Sequence, residues 1–369
     1  MSSPSQYGPV LKELKRDGQL SPETRRQLAA EAFATTAAYE AAISRWFNVP
    51  AAFPDTLVLP LEKKLELAYG ENPHQRGAYY VEHAVRSHLL SRVEQLHGKP
   101  LTFNNLSDLD AGRALVREFA QPACVIVKHA NPCGVAVGAN VEEAYDKALA
   151  CDPMSAYGGV IVFNRQVEEF LGAKLAEQFV EVLFSPGYDD AALEALRQKQ
   201  GTRILLDTER RRADPEARHY KRVRGGMLVQ DPDPDLEDRD SWEVVSGTVD
   251  EGQWDDLVFA WRVCKHVTSN AIVLTKGLAT IGIGAGQMSR VDAVRIAVEK
   301  AAEFGHDATG SALASDAFFP FPDGPQVALD AGVTAIVQPG GSRRDAEVVA
   351  AVEQSGAAMV FTGQRHFRH

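Results

Sequence analysis

Ala123-Cys124-Val125-Ile126-Val127-Lys128-His129-Ala130-Asn131-Pro132-Cys133-Gly134 is the stretch on which the fold turns. It opens with an unbroken apolar run, Ala123 to Val127, the mark of a strand buried on both faces. The strand stops at a Lys-His pair and an Asn-Pro-x-Gly turn, and Val141 to Ala150 then reads as a helix. Gly159 to Phe163 is a second such strand. Further on, Ala271 to Leu274 and Ala279 to Ile283 read as a hairpin. Gly284-Ala285-Gly286 then leads into a helix with Val291, Val294, Val298 and Ala301 at helical spacing. Gly332 to Val337 reads as a last buried strand, ending at Pro339-Gly340-Gly341-Ser342-Arg343 before a helix from Ala346 to Gln354. Strands alternating with helices predict α/β layers on largely parallel central sheets.

The N-terminal stretch stands apart. Ser21-Pro22-Glu23-Thr24 supplies a cap, a proline at the first helical position and an acidic first turn. Leu28, Ala32, Ala38 and Ile43 then share a helical face as far as Trp46, before a Pro-rich connector from Val49 to Pro60. These features predict a helical arm and linker over residues 1–60, a first α/β domain over 61–240 and a second over 241–369. The acidic, proline-punctuated run Asp231 to Asp240 marks the boundary between the two domains. No strict repeat is visible, although both halves reuse a strand, a glycine-rich turn and a helix.

At 369 residues, 45% hydrophobic and 24% charged, the chain can bury a large core, and disorder is excluded. A net charge of −11 argues against an extended surface for nucleic acid or anionic lipid. The seven Lys and Arg between Arg210 and Arg224 therefore read as a solvated face. Four cysteines without C-x-x-C spacing make neither a disulfide framework nor a zinc knuckle. No apolar run approaches the roughly 18 residues of a membrane helix, and no secretion signal opens the chain, so a cytoplasmic location is expected.

Ligands of open α/β sheets bind at strand ends. Three turns there carry chemistry. In the first, His129 is able to move a proton near neutral pH, and Lys128 is able to stabilise developing negative charge. A bare Lys-His pair is ordinarily solvated; its place after a buried strand shifts the balance towards function. A zinc deaminase is excluded: Asn131 stands where its glutamate is needed, and no Cys follows Cys133 at the required spacing. In the second turn, Gly282 to Arg290, Gln287 spoils a dinucleotide fingerprint. What remains is a helix N-terminus with Ser289 as cap and Arg290 beside it, suited to an anion or simply to a tight turn. In the third, Ser315 to Asp323, three phenylalanines broken by prolines fit either a wall for a flat ligand, with Asp323 accepting hydrogen bonds from it, or a loop tucked into the core.

Six ordered motifs carry a resemblance: Leu67 to Gln75, Lys128 to Gly134, Asp152 to Gly159, Gly225 to Gln230, Ile281 to Arg290 and Ser315 to Phe321. Through them the chain resembles the AICAR transformylase family, one part of the bifunctional purine-biosynthesis proteins. The resemblance implies two cytidine-deaminase-like three-layer α/β domains without zinc, and a homodimer with active sites at its interface. It implies formyl transfer from the co-substrate 10-formyltetrahydrofolate to the 5-amino group of AICAR, giving FAICAR and tetrahydrofolate. His129 would be the base and Lys128 the oxyanion stabiliser. Tyr69, Gly158, Glu181, Asn270 and Arg290 would hold AICAR. Val291, Phe318, Asp323, Ser342, Arg343 and Arg365 would hold the folate. No catalytic metal is implied, and a monovalent cation is left open.

Two departures qualify the resemblance. The family's phosphate-contacting arginine before the Tyr-Gly is here Ala68, with Lys64 and Arg76 as candidate replacements. Losing that contact should weaken nucleotide binding by roughly 1.5–3 kcal/mol. Of the family's cyclohydrolase domain, only a tail-like segment from Tyr7 to Phe47 is present, so no cyclohydrolase activity is expected, and a separate IMP cyclohydrolase becomes an expected partner. The competing readings are a transformylase using another formyl donor and a non-catalytic nucleotide sensor. The folate-side residues argue against the first, the Lys-His pair against the second.

Overall fold

Capping chemistry starts the N-terminal helices where the sequence places them. The protein, described here by a computed structural model over residues 1–48, 53–211, 218–233 and 239–369, divides into two compact units. One comprises Met1–Leu67 and Gly77–His88. It holds helices α1 (Tyr7–Asp17) and α2 (Pro22–Phe47) and the antiparallel strands β1 (Leu61–Glu66) and β2 (Ala78–Glu82). The Ser21 hydroxyl accepts from the Thr24 amide at 3.1 Å, the N-cap bond expected before a proline at the first helical position. Leu28, Ala32, Ala38 and Ile43 are the half-buried face of α2. Residues 49–52 of the predicted connector lie outside the described residues.

The second unit, Ala68–Arg76 with Leu89–His369, holds the sheets. In order it runs β3 (Val93–His97), α3 (Phe103–Val116), β4 (Ala123–Lys128), β5 (Asn131–Val137), α4 (Val141–Cys151), α5 (Pro153–Ala156), β6 (Val160–Phe163), α6 (Glu169–Glu177), β7 (Val182–Ser185), α7 (Asp190–Leu196) and β8 (Arg203–Asp207). The exposed hairpin β9 (His219–Val223) and β10 (Gly226–Gln230) follows. Then come β11 (Glu243–Ser246), α8 (Glu251–Lys265), β12 (Ile272–Thr275), β13 (Thr280–Gly284), α9 (Arg290–Glu303), β14 (Ala312–Ser315), α10 (Asp323–Asp330), β15 (Ala335–Gln338), α11 (Asp345–Gln354) and β16 (Ala358–Phe361).

Among the described residues, two six-stranded sheets have the orders β3-β8-β7-β6-β4-β5 and β11-β16-β15-β14-β12-β13. Strand for strand these are one topology used twice. The repeat invisible in the sequence is therefore a repeat of backbone. The expected largely parallel sheets are corrected to mixed ones. Only β6-β7-β8 and β14-β15-β16 run parallel, because the hairpins β4-β5 and β12-β13 have short connections that join antiparallel strands alone.

Two local readings also change. The Asn-Pro-x-Gly segment is strand β5 rather than a turn, since Asn131 pairs with Lys128 across the hairpin. The strand expected from Gly332 is β15, starting at Ala335, and β16 follows it. Of the basic run and the acidic boundary, residues 212–217 and 234–238 lie outside the described residues; Arg211 is paired with Glu209.

The core lies between each sheet and its helices, and β4, β6, β7, β12, β14 and β15 are buried along nearly their whole length. The edge strands of the two sheets meet. The Val137 amide donates to Leu278 O at 3.0 Å, and the Thr280 hydroxyl accepts from the Val135 amide at 2.9 Å. Each edge thus covers the other's open hydrogen-bonding groups.

Helix backbone approaches strand backbone closely at three glycines. A Cβ on Gly134 would lie 1.9 Å from Ala148 O in α4; one on Gly282, its equivalent in the second sheet, would lie 2.1 Å from Ala297 O in α9, and one on Gly284 1.9 Å from Ala293 O. Gly134→Ala and Gly284→Ala should each cost about 1–3 kcal/mol or more in urea denaturation. Gly201→Ala, with nothing within 4 Å of the added methyl, should change little.

Candidate active site

The turn joining β4 to β5 is His129-Ala130, with φ of 54° and 59°. Two successive left-handed residues in a two-residue hairpin make a type I′ turn, which ordinarily demands Asn-Gly. Neither residue here is glycine, so the turn stores strain of roughly 1 kcal/mol or more per residue. The Asp108 carboxylate, projecting from α3, accepts from the Ala130 amide at 2.7 Å. Burial pushes the Asp108 carboxyl up, against the opposing pull of the Ala130 amide and of the neighbouring His129 and Lys128.

Lys128 is the last residue of β4. Its ammonium donates to Tyr157 O at 2.8 Å and Gly158 O at 3.0 Å. An ammonium has three N–H groups, so one remains for a ligand. Gly158 holds its carbonyl there with φ of 66°, and its amide donates to Phe179 O at 2.8 Å. Glu181 lies alongside: its amide donates to Gly159 O, and its carboxylate takes Arg203 at 2.7 Å and the Asn105 amide group at 3.4 Å. Half-buried Tyr69 adjoins the start of α3 by accepting from the Phe103 amide at 3.2 Å.

Lys128 and His129 open onto a cleft of about 210 Å³ whose other walls include Asn131, Cys133, Asp152, Ile283 and Lys300. Asn131 ties this cleft to the second sheet by accepting from the Thr268 amide at 2.8 Å. Lys300 of α9 reaches back to Asp152 at 3.3 Å.

A larger cleft, about 610 Å³, lies at the C-terminal end of β14 and the start of α9. Asn270, Arg290, Val291, Phe318, Phe321, Asp323 and Arg365 line it. Arg290 bonds the fully buried Asp316 carboxylate, the Ser315 hydroxyl at 2.8 Å and Asn270 Oδ1 at 2.7 Å. Of the three phenylalanines, Phe319 is core, whereas Phe318 and Phe321 face outward; Arg344 stacks on Phe321 with its guanidinium carbon 4.9 Å from the ring centre.

A family model described as "AICARFT/IMPCHase bienzyme" matches residues 1–300. A Bacillus cereus (strain B4264) protein named "Bifunctional purine biosynthesis protein PurH" is 46% identical over 370 residues, covering 99% of this chain and 71% of that protein. Proteins of the same name from Bacillus anthracis and Bacillus mycoides (strain KBAB4) are 46% and 45% identical over 369 residues, with the same coverage. The chain belongs to the AICARFT/IMPCHase bienzyme family. Its candidate residues sort by place: Lys128, Gly158 and Glu181 cluster at the ends of the first sheet, with Tyr69 beside the α3 start. Asn270, Arg290, Val291, Phe318, Asp323 and Arg365 share the larger cleft.

Three expectations shift. Ser289 occupies the N-cap position of α9, yet its hydroxyl makes no capping bond. Ser342 and Arg343 line neither cleft; they sit on the loop before α11, where Ser342 Oγ accepts from the Arg344 amide at 3.1 Å. Arg290 is already committed to a buried ion pair, so it frames its cleft as much as it faces it. Sequence reasoning missed Asp108, Arg203 and Asp316 as site-building residues. Each acts through a fold contact distant in sequence, which no local spacing announces.

No group of three or more His, Cys, Asp or Glu is placed to hold a metal among the described residues, and no helix there is long and apolar enough to cross a membrane. Burial pushes the Cys133 thiol far above its usual range and that of Cys151 up to about 12. A raised pKa means less thiolate. Iodoacetamide at about pH 8 should therefore label buried Cys151 only as fast as the chain unfolds and cleft-lining Cys133 slowly, with full labelling of both in guanidinium, as read by mass spectrometry.

Proposed function

We propose that this chain is a folate-dependent formyltransferase of purine biosynthesis, moving the formyl group of 10-formyltetrahydrofolate to the 5-amino group of AICAR. The observation that carries this reading is the Lys128-His129 pair held on a strained turn at a cleft mouth, in a chain of this family. The two repeated sheets, over 61–240 and 241–369, are read as deaminase-like domains.

The chemistry asks for what the turn offers. The aminoimidazole amine is a weak nucleophile, because its lone pair is delocalised into the ring. Its nitrogen attacks the formyl carbon as His129 removes its proton. The carbonyl π electrons go to oxygen, and the spare N–H of Lys128 meets the oxyanion. Collapse of the tetrahedral intermediate breaks the bond to N10 of the folate, which leaves with a proton as tetrahydrofolate. Each donor aimed at an oxyanion is worth about 3–4 kcal/mol.

Tyr69, Gly158, Glu181, Asn270 and Arg290 are assigned to AICAR, and Val291, Phe318, Asp323 and Arg365 to the folate, whose flat pterin suits the Phe318 wall. Ser342 and Arg343 fit the folate through a homodimer interface that completes the site. Ala68 is exposed and brings no charge to the nucleotide phosphate. That observation favours a second reading, a nucleotide sensor without turnover.

Release of tetrahydrofolate, with and without AICAR, tests the proposal. AICAR-dependent release should fall by about 10²–10⁴ in His129→Ala and about 10²–10³ in Lys128→Met. AICAR binding without release in the wild type would support the sensor. Ala68→Arg should lower the KM for AICAR by about tenfold or more with kcat changing less.

A further inference from the structure

The two halves can be compared residue by residue, because one topology serves both. Strand pairing aligns β4 with β12 and β6 with β14, so Lys128 corresponds to Lys276 and the His129-Ala130 turn to Gly277-Leu278. The second turn has φ of 62° and 58°, the same left-handed pair. Lys276 donates to Thr309 O at 2.7 Å and Asp307 O at 3.2 Å, as Lys128 donates to the carbonyls before β6.

The match extends to the helix beneath each turn. Asp256 of α8 accepts from the Leu278 amide at 2.7 Å and the Gly277 amide at 2.9 Å. Asp108 of α3 holds the second residue of the first turn in the matching way, accepting from the Ala130 amide at 2.7 Å. Both aspartates stand at the same distance from their helix caps. Asp250 opens α8 with a capping box to Gln253, and Thr102 opens α3 with one to Asn105. The clamp thus belongs to the scaffold and is present where no substrate role is assigned. What differs is the load: a glycine relaxes the first position of the second turn, whereas His129 and Ala130 leave the first turn with none.

We propose that Asp108 is a positioning residue, whose carboxylate, by holding the Ala130 amide, keeps the His129-Ala130 turn left-handed and so presents the His129 imidazole to the cleft. The catalytic half of this statement rests on the formyltransferase reading. Without the clamp, nothing in the turn's own residues favours the conformation, and the hairpin end relaxes towards a looser connection. The second half tolerates its loss better, because Gly277 enters the left-handed region without steric penalty.

Three variants of the full chain test this. Asp108→Ala, which removes the acceptor that Asn would retain, should lower kcat at least about tenfold while KM for AICAR and for the folate stays within about threefold. Adding Ala130→Gly to Asp108→Ala, which supplies the residue a type I′ turn prefers, should recover kcat at least about threefold. Asp256→Ala cuts the equivalent clamp and should lower the melting temperature with kcat changed by less than about twofold. A kcat loss matched by Asp256→Ala, a loss falling on KM, or no recovery with Ala130→Gly would each overturn the proposal. If the wild type releases no tetrahydrofolate, the formyltransferase reading fails, and amide hydrogen exchange then judges the clamp. Protection lost at the 130 amide in Asp108→Ala supports it, and unchanged protection there overturns it.

Discussion

The glycines where a helix lies directly on strand backbone set the geometry of everything above them. At Gly134, Gly282 and Gly284 no side chain intervenes, so α4 and α9 settle closely onto β5 and β13. That contact aims the helix ends. The C-terminus of α4 delivers Cys151 and Asp152 beside the Lys128-His129 turn, and the N-terminus of α9 delivers Arg290 to the larger cleft. Lys300, further along α9, then reaches Asp152 and links one helix to the other. Both clefts are consequences of tight layer spacing at the meeting of two sheet edges.

The larger cleft has an internal frame of its own. Asp316 has no exposed surface, and its carboxylate is shared between Arg290 and the Ser269 hydroxyl while its carbonyl accepts from the His366 amide. A carboxylate so deeply placed requires a charged partner, and Arg290 supplies it. The C-terminal residues Arg365 and Phe367 are thereby held at the cleft rim.

Much of this was legible in the sequence because apolar runs and caps are local signals. The Ala123–Val127 run, the hairpin from 271 to 283, the helix carrying Val291 and Val294, and the Ser21 cap all appear at or near their predicted positions. Strand direction was not legible. The residues of β4 read as central strand either way, and only the short turn at 129–130 forces the antiparallel partner. That turn escaped notice because neither His129 nor Ala130 advertises a left-handed conformation; the signal lies in Asp108, which is remote in sequence. Likewise Phe318 and Asp323 could be placed at a pocket from their proline-broken setting, whereas the commitment of Arg290 to Asp316 depended on burial that no motif displays. Ser342 and Arg343 were carried by resemblance alone, and this chain by itself brings them to neither cleft.

The doubled sheet topology gives the molecule an internal reference. Gly277 and His129 occupy the same point of the same hairpin, each followed by a left-handed residue and braced by a helix aspartate. One copy has the geometry and the other has the geometry plus an imidazole. The fold therefore separates architecture from reactivity: the same hairpin end is built whether or not it carries an imidazole.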